Sequence, residues 1–254
     1  MIISGLLFSI ALIVHEVGHL LAALAFRVRV SKFCLFFDPW FRLIDTGKLF
    51  SMRLCVGWIP FGAYVRFLSE EEESTCNHNN LFENLHPLKR VAISLSGVMM
   101  NLLMACLFIF AWVGNHADRI HGYSIAKHIA ITHRIVNDEI DNVVASISDY
   151  RMEGDRHSKV TNDTARPAYH KSTPKMTWNN LLLRFARINL FLFLFNLLPL
   201  PPLDGAQTLY HIYEYLFHKP LNIAFQVIAG CVGFAAIIGS NIIELVKYAF
   251  RIFG

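Results

Sequence analysis

Charge is scarce in this chain, and it does not cluster. Asp, Glu, Lys and Arg make up 17% of the 254 residues, against 54% hydrophobic residues, whereas a soluble domain carries about a quarter charged residues. The deficit argues against an ordinary soluble surface and for a membrane class. The net charge is only +4. No block of Lys and Arg of nucleic-acid type is present, which argues against a nucleic-acid partner. The five cysteines, at 34, 55, 76, 106 and 231, contain no CxxC pair, so a thiolate zinc site is not expected. No basic residue precedes the first apolar run, and that run contains His15, Glu16 and His19, which separates it from a secretory leader. No internal repeat is visible.

What is present in quantity is long apolar sequence. A helix needs about 20 mostly apolar residues to cross a bilayer. The runs at about 2–26, 91–114, 182–203 and 221–249 reach or approach that length. The expected fold is therefore an all-α polytopic membrane protein with about four transmembrane helices. Between the first two runs, Met52–Val56 and Ala63–Leu68 read as short strands around Gly57 and Gly62, a small membrane-associated β-hairpin. The chain divides into 1–114, with the first two spans and the hairpin; 115–180, a polar extracytoplasmic insert; and 181–254, with the last two spans. In the insert, Ile125–Val136 and Asn142–Ser148 read as strands; between the first two spans, Glu70 to Glu73 form a solvated acidic run. Arg27, Arg29 and Lys32 follow the first span, and Lys89 and Arg90 precede the second. By the positive-inside tendency residues 27–90 face the cytoplasm, although Arg184 and Arg187 run counter to it.

The first span carries His15-Glu16-Val17-Gly18-His19, an HExxH sequence. Residues i and i+4 of a helix lie one above the other on one face. Two imidazoles so placed reach one metal ion, and the Glu between them stands beside the ion as a general base. Each ionisable side chain at the bilayer centre costs about 2.5–3.5 kcal/mol on insertion scales, and ligation of zinc offsets that cost. A metal-free polar contact between helices is the alternative. A catalytic zinc usually takes three protein ligands. The third apolar run ends in Asn196-Leu-Leu-Pro-Leu-Pro-Pro-Leu-Asp204-Gly205, where three prolines stop a regular helix. Unwound backbone at membrane depth is tolerated where it is buried in protein or lines a cavity. Asp204 is thus a candidate third ligand, or else a helix cap at the membrane surface.

HEVGH in the first span and NLLPLPPLDG in a later one resemble the site-2 protease family of intramembrane zinc metalloproteases. Ser96-Gly97-Val98-Met99-Met100-Asn101 is similar to the GPxxN motif of its bacterial branch, with Val98 in place of proline. Pro60-Phe61-Gly62-Ala63-Tyr64-Val65 is similar to the PxGGYV segment of its membrane-embedded hairpin, with Ala63 in place of the second glycine. The resemblance covers 1–110 and 180–240. It implies Zn²⁺ held by His15, His19 and Asp204, with Glu16 as catalytic base. It further implies that Asn101 and Asn196 hold substrate backbone, and that the hairpin near Gly62 and Tyr64 pairs with an opened substrate helix. The implied substrate is a single-span membrane protein, and the implied setting is the bacterial inner membrane with the site towards the cytoplasm. A catalytically inactive regulator of the same fold, binding membrane helices without cutting them, is the rival. The insert is too short for a complete PDZ domain. His116, His121, His128 and His133 read as scattered histidines rather than a second metal site.

Overall fold

The computed structural model describes residues 2–49, 52–68, 81–117, 129–141, 178–235 and 239. They form helix α1 (Ile2–Ala25), strands β1 (Val30–Leu49) and β2 (Met52–Phe67), a 3₁₀ turn at Phe82–Asn84, and helix α2 (Pro87–Ala117). Helices α3 (129–141), α4 (Trp178–Asn196), α5 (Asp204–Phe217) and α6 (Ile223–Ala235) follow.

The expectation of an all-α protein with about four spans is overturned. Among the described residues two helices are long and apolar enough to cross a membrane, Ile3–Ala25 and Pro87–Asn115. The third apolar run is split: α4 ends at Asn196, and 197–203, with Pro199, Pro201 and Pro202, lies outside any helix. Arg184 and Arg187 fall within α4. Of the fourth run, α6 is the described helical part. The β content also exceeds the two short strands expected, because β1 and β2 extend over 20 and 16 residues.

The two long helices show why length and composition suit a bilayer. Along α1, Ala11, His15 and Gly18 are buried at helical spacing, while Leu6, Ile10, Leu21 and Leu24 are exposed. Along α2, Ile93, Gly97, Asn101, Ala105, Ile109 and Val113 recur every four residues and are buried, while Met99, Leu103, Leu107 and Phe110 are exposed. A helix apolar on both faces, with one face packed on protein, is suited to lipid on the other.

The chain forms two compact units, one of Met1–Asn101 with Leu192–Gly254 and one of Leu102–Phe191. In the first, β1 and β2 pair antiparallel as a two-stranded sheet. Both strands bend, so β1 meets both halves of β2: Cys34 lies opposite both Tyr64 and Cys55, and Leu35 opposite both Ala63 and Val56. The bends coincide with left-handed residues, Phe36 at φ 67° and Gly62 at φ 68°. Glycine adopts that conformation without steric cost, whereas Phe36 is held there beside a shift of register. The core of this unit joins Leu20 and Ala23 of α1, Val28, Val30 and Phe33, Met52 of β2, Leu85 and Ile93 of α2.

In the second unit, Ile109 and Val113 of α2 pack with Ala186 of α4 and with Ile131, Ile135 and Val136 of α3. The strand expected over 125–136 is therefore corrected: residues 129–141 are helical, because apolar residues at 131, 135 and 136 follow the helical period. The acidic run at 70–73, the strand expected over 142–148, His121 and His128 lie outside the described residues.

Candidate metal centre

The centre lies in the first unit and is assembled from three helices. In α1 the four-residue spacing puts His15 and His19 on one face, with their Nε2 atoms 3.1 Å apart. The third donor comes from α5, whose first residue is Asp204. The proline-rich break after α4 turns the chain so that this carboxylate meets α1. Asp204 Oδ2 stands 2.8 Å from His15 Nε2 and 3.3 Å from His19 Nε2. Three donors about 2.1 Å from one ion in a tetrahedral arrangement lie about 3.4 Å from one another, and the observed 2.8, 3.1 and 3.3 Å are close enough for a shared zinc ion. Asp204 Oδ2 is also buried without hydrogen-bond geometry to any partner. A carboxylate oxygen within ion-pair distance of two imidazoles at once is arranged for a common ligand.

The outer nitrogens of the rings support the same reading. His19 Nδ1 donates to the carbonyl of Ile93 at 2.8 Å, which leaves Nε2 with its lone pair free for a metal. His15 Nδ1 lies 3.0 Å from Asn101 Nδ2, which fixes the plane of that ring. The approach of α2 to α1 depends on two glycines that face each other. A Cβ on Gly18 would lie 2.6 Å from the Ser96 carbonyl oxygen and 2.9 Å from Gly97 Cα. A Cβ on Gly97 would lie 2.4 Å from His19 Nε2.

Glu16 joins this centre. It lines a cavity of about 240 Å³ with His19 and Asp204, and its Oε2 accepts a hydrogen bond from the backbone N–H of Val65 at 3.2 Å. Its carboxylate is thus held against strand β2. The same strand is tied to α1 at Gly62, whose N–H donates to Ser9 Oγ at 3.2 Å.

The structure brings His15, Glu16, His19 and Asp204 together and adds Asn101 to them. The other residues implied for substrate contact do not line the cavity beside the donors. Gly62 makes the bend in β2. The Tyr64 hydroxyl donates to Asp38 at 2.5 Å and accepts from Lys32. Asn196, at the end of α4, donates to the Leu192 carbonyl at 3.0 Å. Sequence reasoning missed Gln207 and His211, which line the cavity with Asp204. Their signal was the i, i+3, i+7 spacing from Asp204 on α5, which needs the helix register to be known.

Comparison with known sequences agrees with the site. The profile of Peptidase family M50 matches residues 4–240. A protein of Chlamydia trachomatis, provisionally named a zinc metalloprotease, is 29% identical over 133 residues, 48% of this chain and 21% of that protein. A chloroplast protein of Arabidopsis thaliana, provisionally named a membrane metalloprotease, is 32% identical over 105 residues, 40% of this chain and 23% of that protein. A Clostridium perfringens protein, provisionally named a zinc metalloprotease, aligns over 97% of each chain at 20% identity. The matched stretches span about a fifth of the length of the first two of these relatives. With HExxH on α1, the Asp204 carboxylate beside it and a family match over nearly its whole length, the chain belongs to peptidase family M50, a family of membrane-embedded proteins.

Proposed function

We propose that this protein is an intramembrane zinc metalloprotease that hydrolyses a peptide bond within or near a transmembrane helix of a membrane-protein substrate. The convergence of His15, His19 and Asp204 within 3.3 Å, on and beside an apolar helix, carries the reading. Zinc at that point supplies Lewis acidity. Glu16 is placed to take a proton from the attacking water and to return it to the leaving amine. The Val65 N–H orients that carboxylate, and Ile93 and Asn101 orient the two imidazoles.

A transmembrane helix hides its peptide bonds in its own hydrogen bonds, so it must open before it is cut. Strand β2 around Gly62 and Tyr64 receives the opened segment as an added strand, and Asn101 and Asn196 are its candidate backbone contacts. The substrate is a single-span protein, cut as a step of regulated intramembrane proteolysis. The setting is the bacterial inner membrane with the centre open to the cytoplasm, a placement supported by Arg27, Arg29, Lys32, Lys89 and Arg90 around the segment between α1 and α2.

The test is membrane proteomics on the native cell, comparing wild type, a deletion, and the deletion complemented with Glu16→Gln. One or a few membrane proteins, or trimmed stubs of them, should accumulate in both the deletion and the Glu16→Gln strain. If Glu16→Gln behaves as wild type while the deletion does not, the protein acts by binding, and proteolysis is overturned.

A further inference from the structure

The cavity beside the metal donors extends away from them along α5. Asp204, Gln207 and His211 lie on one face of that helix, and seven residues of α-helix rise about 10 Å. The slot therefore begins at a metal ligand and runs about two turns to His211. Val65 and Phe67 of β2, Phe82, Ile93 and Ser94 line it as well, with Glu16 and His19 at the donors. The lining thus combines hydrogen-bonding groups on α5 with hydrocarbon surface from β2, Phe82 and Ile93.

His211 is buried, at 9% exposure, and packs edge-on against the Phe82 ring with centroids 5.8 Å apart. Neither ring nitrogen of His211 nor the Gln207 amide bonds to another described residue. Burial and then the positive charge of Arg90 push the His211 pKa down to about 4, against the opposing charge of Glu214. The imidazole is neutral at physiological pH, with one donor and one acceptor nitrogen. Arg90 is bound to Glu214 at 2.5 Å, so the cation next to His211 is already matched by a carboxylate. At His211 the slot is polar, and the charges beside it are matched.

We propose that this slot is a specificity subsite for a neutral, hydrogen-bonding side chain of the substrate, of the glutamine or asparagine class, with His211 and Gln207 reading its amide. This rests on the proteolytic reading of the metal centre. Val65 and Phe67 point alternate side chains of β2 into the slot, and a segment added beside that strand would present its own alternate side chains there. A site built to bond a polar substrate group discriminates strongly against an apolar isostere, because its own buried polar groups are then left without partners.

The experiment uses the full chain carrying Glu16→Gln in nanodiscs, so that binding is read without cleavage. The probes are Leu/Ala-rich transmembrane peptides with a single Gln or Met scanned through the central positions, and affinity is measured by fluorescence anisotropy. At one or two adjacent positions Gln should bind about tenfold tighter than Met. His211→Leu with Gln207→Leu should abolish that preference, and His211→Gln should retain part of it, with zinc content unchanged throughout. Absence of any Gln preference, or its survival in the double variant, overturns the proposal. Cleavage of the same peptides by the chain with Glu16 intact is scored separately, so failure of the proteolytic reading is distinguishable from failure of the subsite.

Discussion

Asn101 holds His15 from across the helix crossing: its side-chain amide lies 3.0 Å from His15 Nδ1, although the two residues are 86 apart in sequence. Asn101 is fully buried, and its Oδ1 has no hydrogen-bond partner among the described residues. A histidine that offers Nε2 to a metal carries its proton on Nδ1 and donates it. The chemistry therefore requires the amide turned by 180°, with Oδ1 accepting from Nδ1–H, an orientation that the hydrogen-bond network decides. In that orientation the orphaned oxygen acquires its partner. Asn101→Leu should lower zinc affinity about 10–100-fold, measured by competition with a chromogenic chelator, while leaving helix content intact. Unchanged affinity would remove the orienting role and leave Asn101 to contact substrate alone.

The arrangement of this site was legible in the sequence because it is local. Helical period alone puts His15 and His19 of HEVGH on one face with Glu16 between them in sequence, and the prolines before Asp204 stop α4 before the carboxylate. The Asn101–His15 contact and the Val65–Glu16 contact were not legible, since both depend on how elements far apart in sequence cross. The fold was less readable than the site. Hydropathy counted 182–203 as a span, but its prolines end the helix at Asn196. Strand β1 was missed because Phe36-Phe37-Asp38-Pro39-Trp40-Phe41-Arg42 breaks the alternation that marks a strand. It is the pairing with both halves of β2 that makes those residues extended.

The hairpin has an acid limit set by Asp38. Burial raises the pKa of this carboxyl, but hydrogen bonds from Lys32, Tyr64 and Arg42 outweigh it and hold the value at about 2. An unfolded Asp titrates near 3.9. A folded pKa below the unfolded one stabilises above the unfolded value, and the contribution disappears as pH falls towards 2. This term should be flat from pH 5 to 8 and decline below about pH 4. Asp38→Asn should cost about 1–2 kcal/mol at pH 7 and lose the acid decline. Hydrogen exchange at β1 and β2 measures both effects, and an identical acid decline in the variant would refute the assignment.

Metal removal should loosen the contact between α1 and α5. Without an ion, His15, His19 and Asp204 remain within 3.3 Å of one another with nothing to satisfy all three. A ligand that binds only the folded state stabilises it by about 4 kcal/mol when present at a thousand times its Kd. Chelation should lower the Tm of the detergent-solubilised protein, and added zinc should restore it. Asp204→Asn should shrink that response, because an amide oxygen carries no charge for the ion. A Tm indifferent to chelator would mean that the donors are held by packing alone.

Gly97 gives the sharpest steric test. A methyl group there would sit 2.4 Å from His19 Nε2 and 2.9 Å from His15 Cε1, inside the space of both imidazoles. The rings cannot yield cheaply, because Ile93 and Asn101 hold their outer nitrogens. Overpacking of this kind costs typically 1–3 kcal/mol, and here the strain falls on the atoms that bind metal. Gly97→Ala should reduce bound zinc from about one equivalent to near none with little loss of helix signal. Gly5→Ala, on the same helix as the histidines but with nothing within 4 Å of its added methyl, should keep full zinc and serve as the control. Zinc retained at wild-type affinity in Gly97→Ala would show that α1 and α2 separate freely, and the close crossing would then not be what shapes the centre.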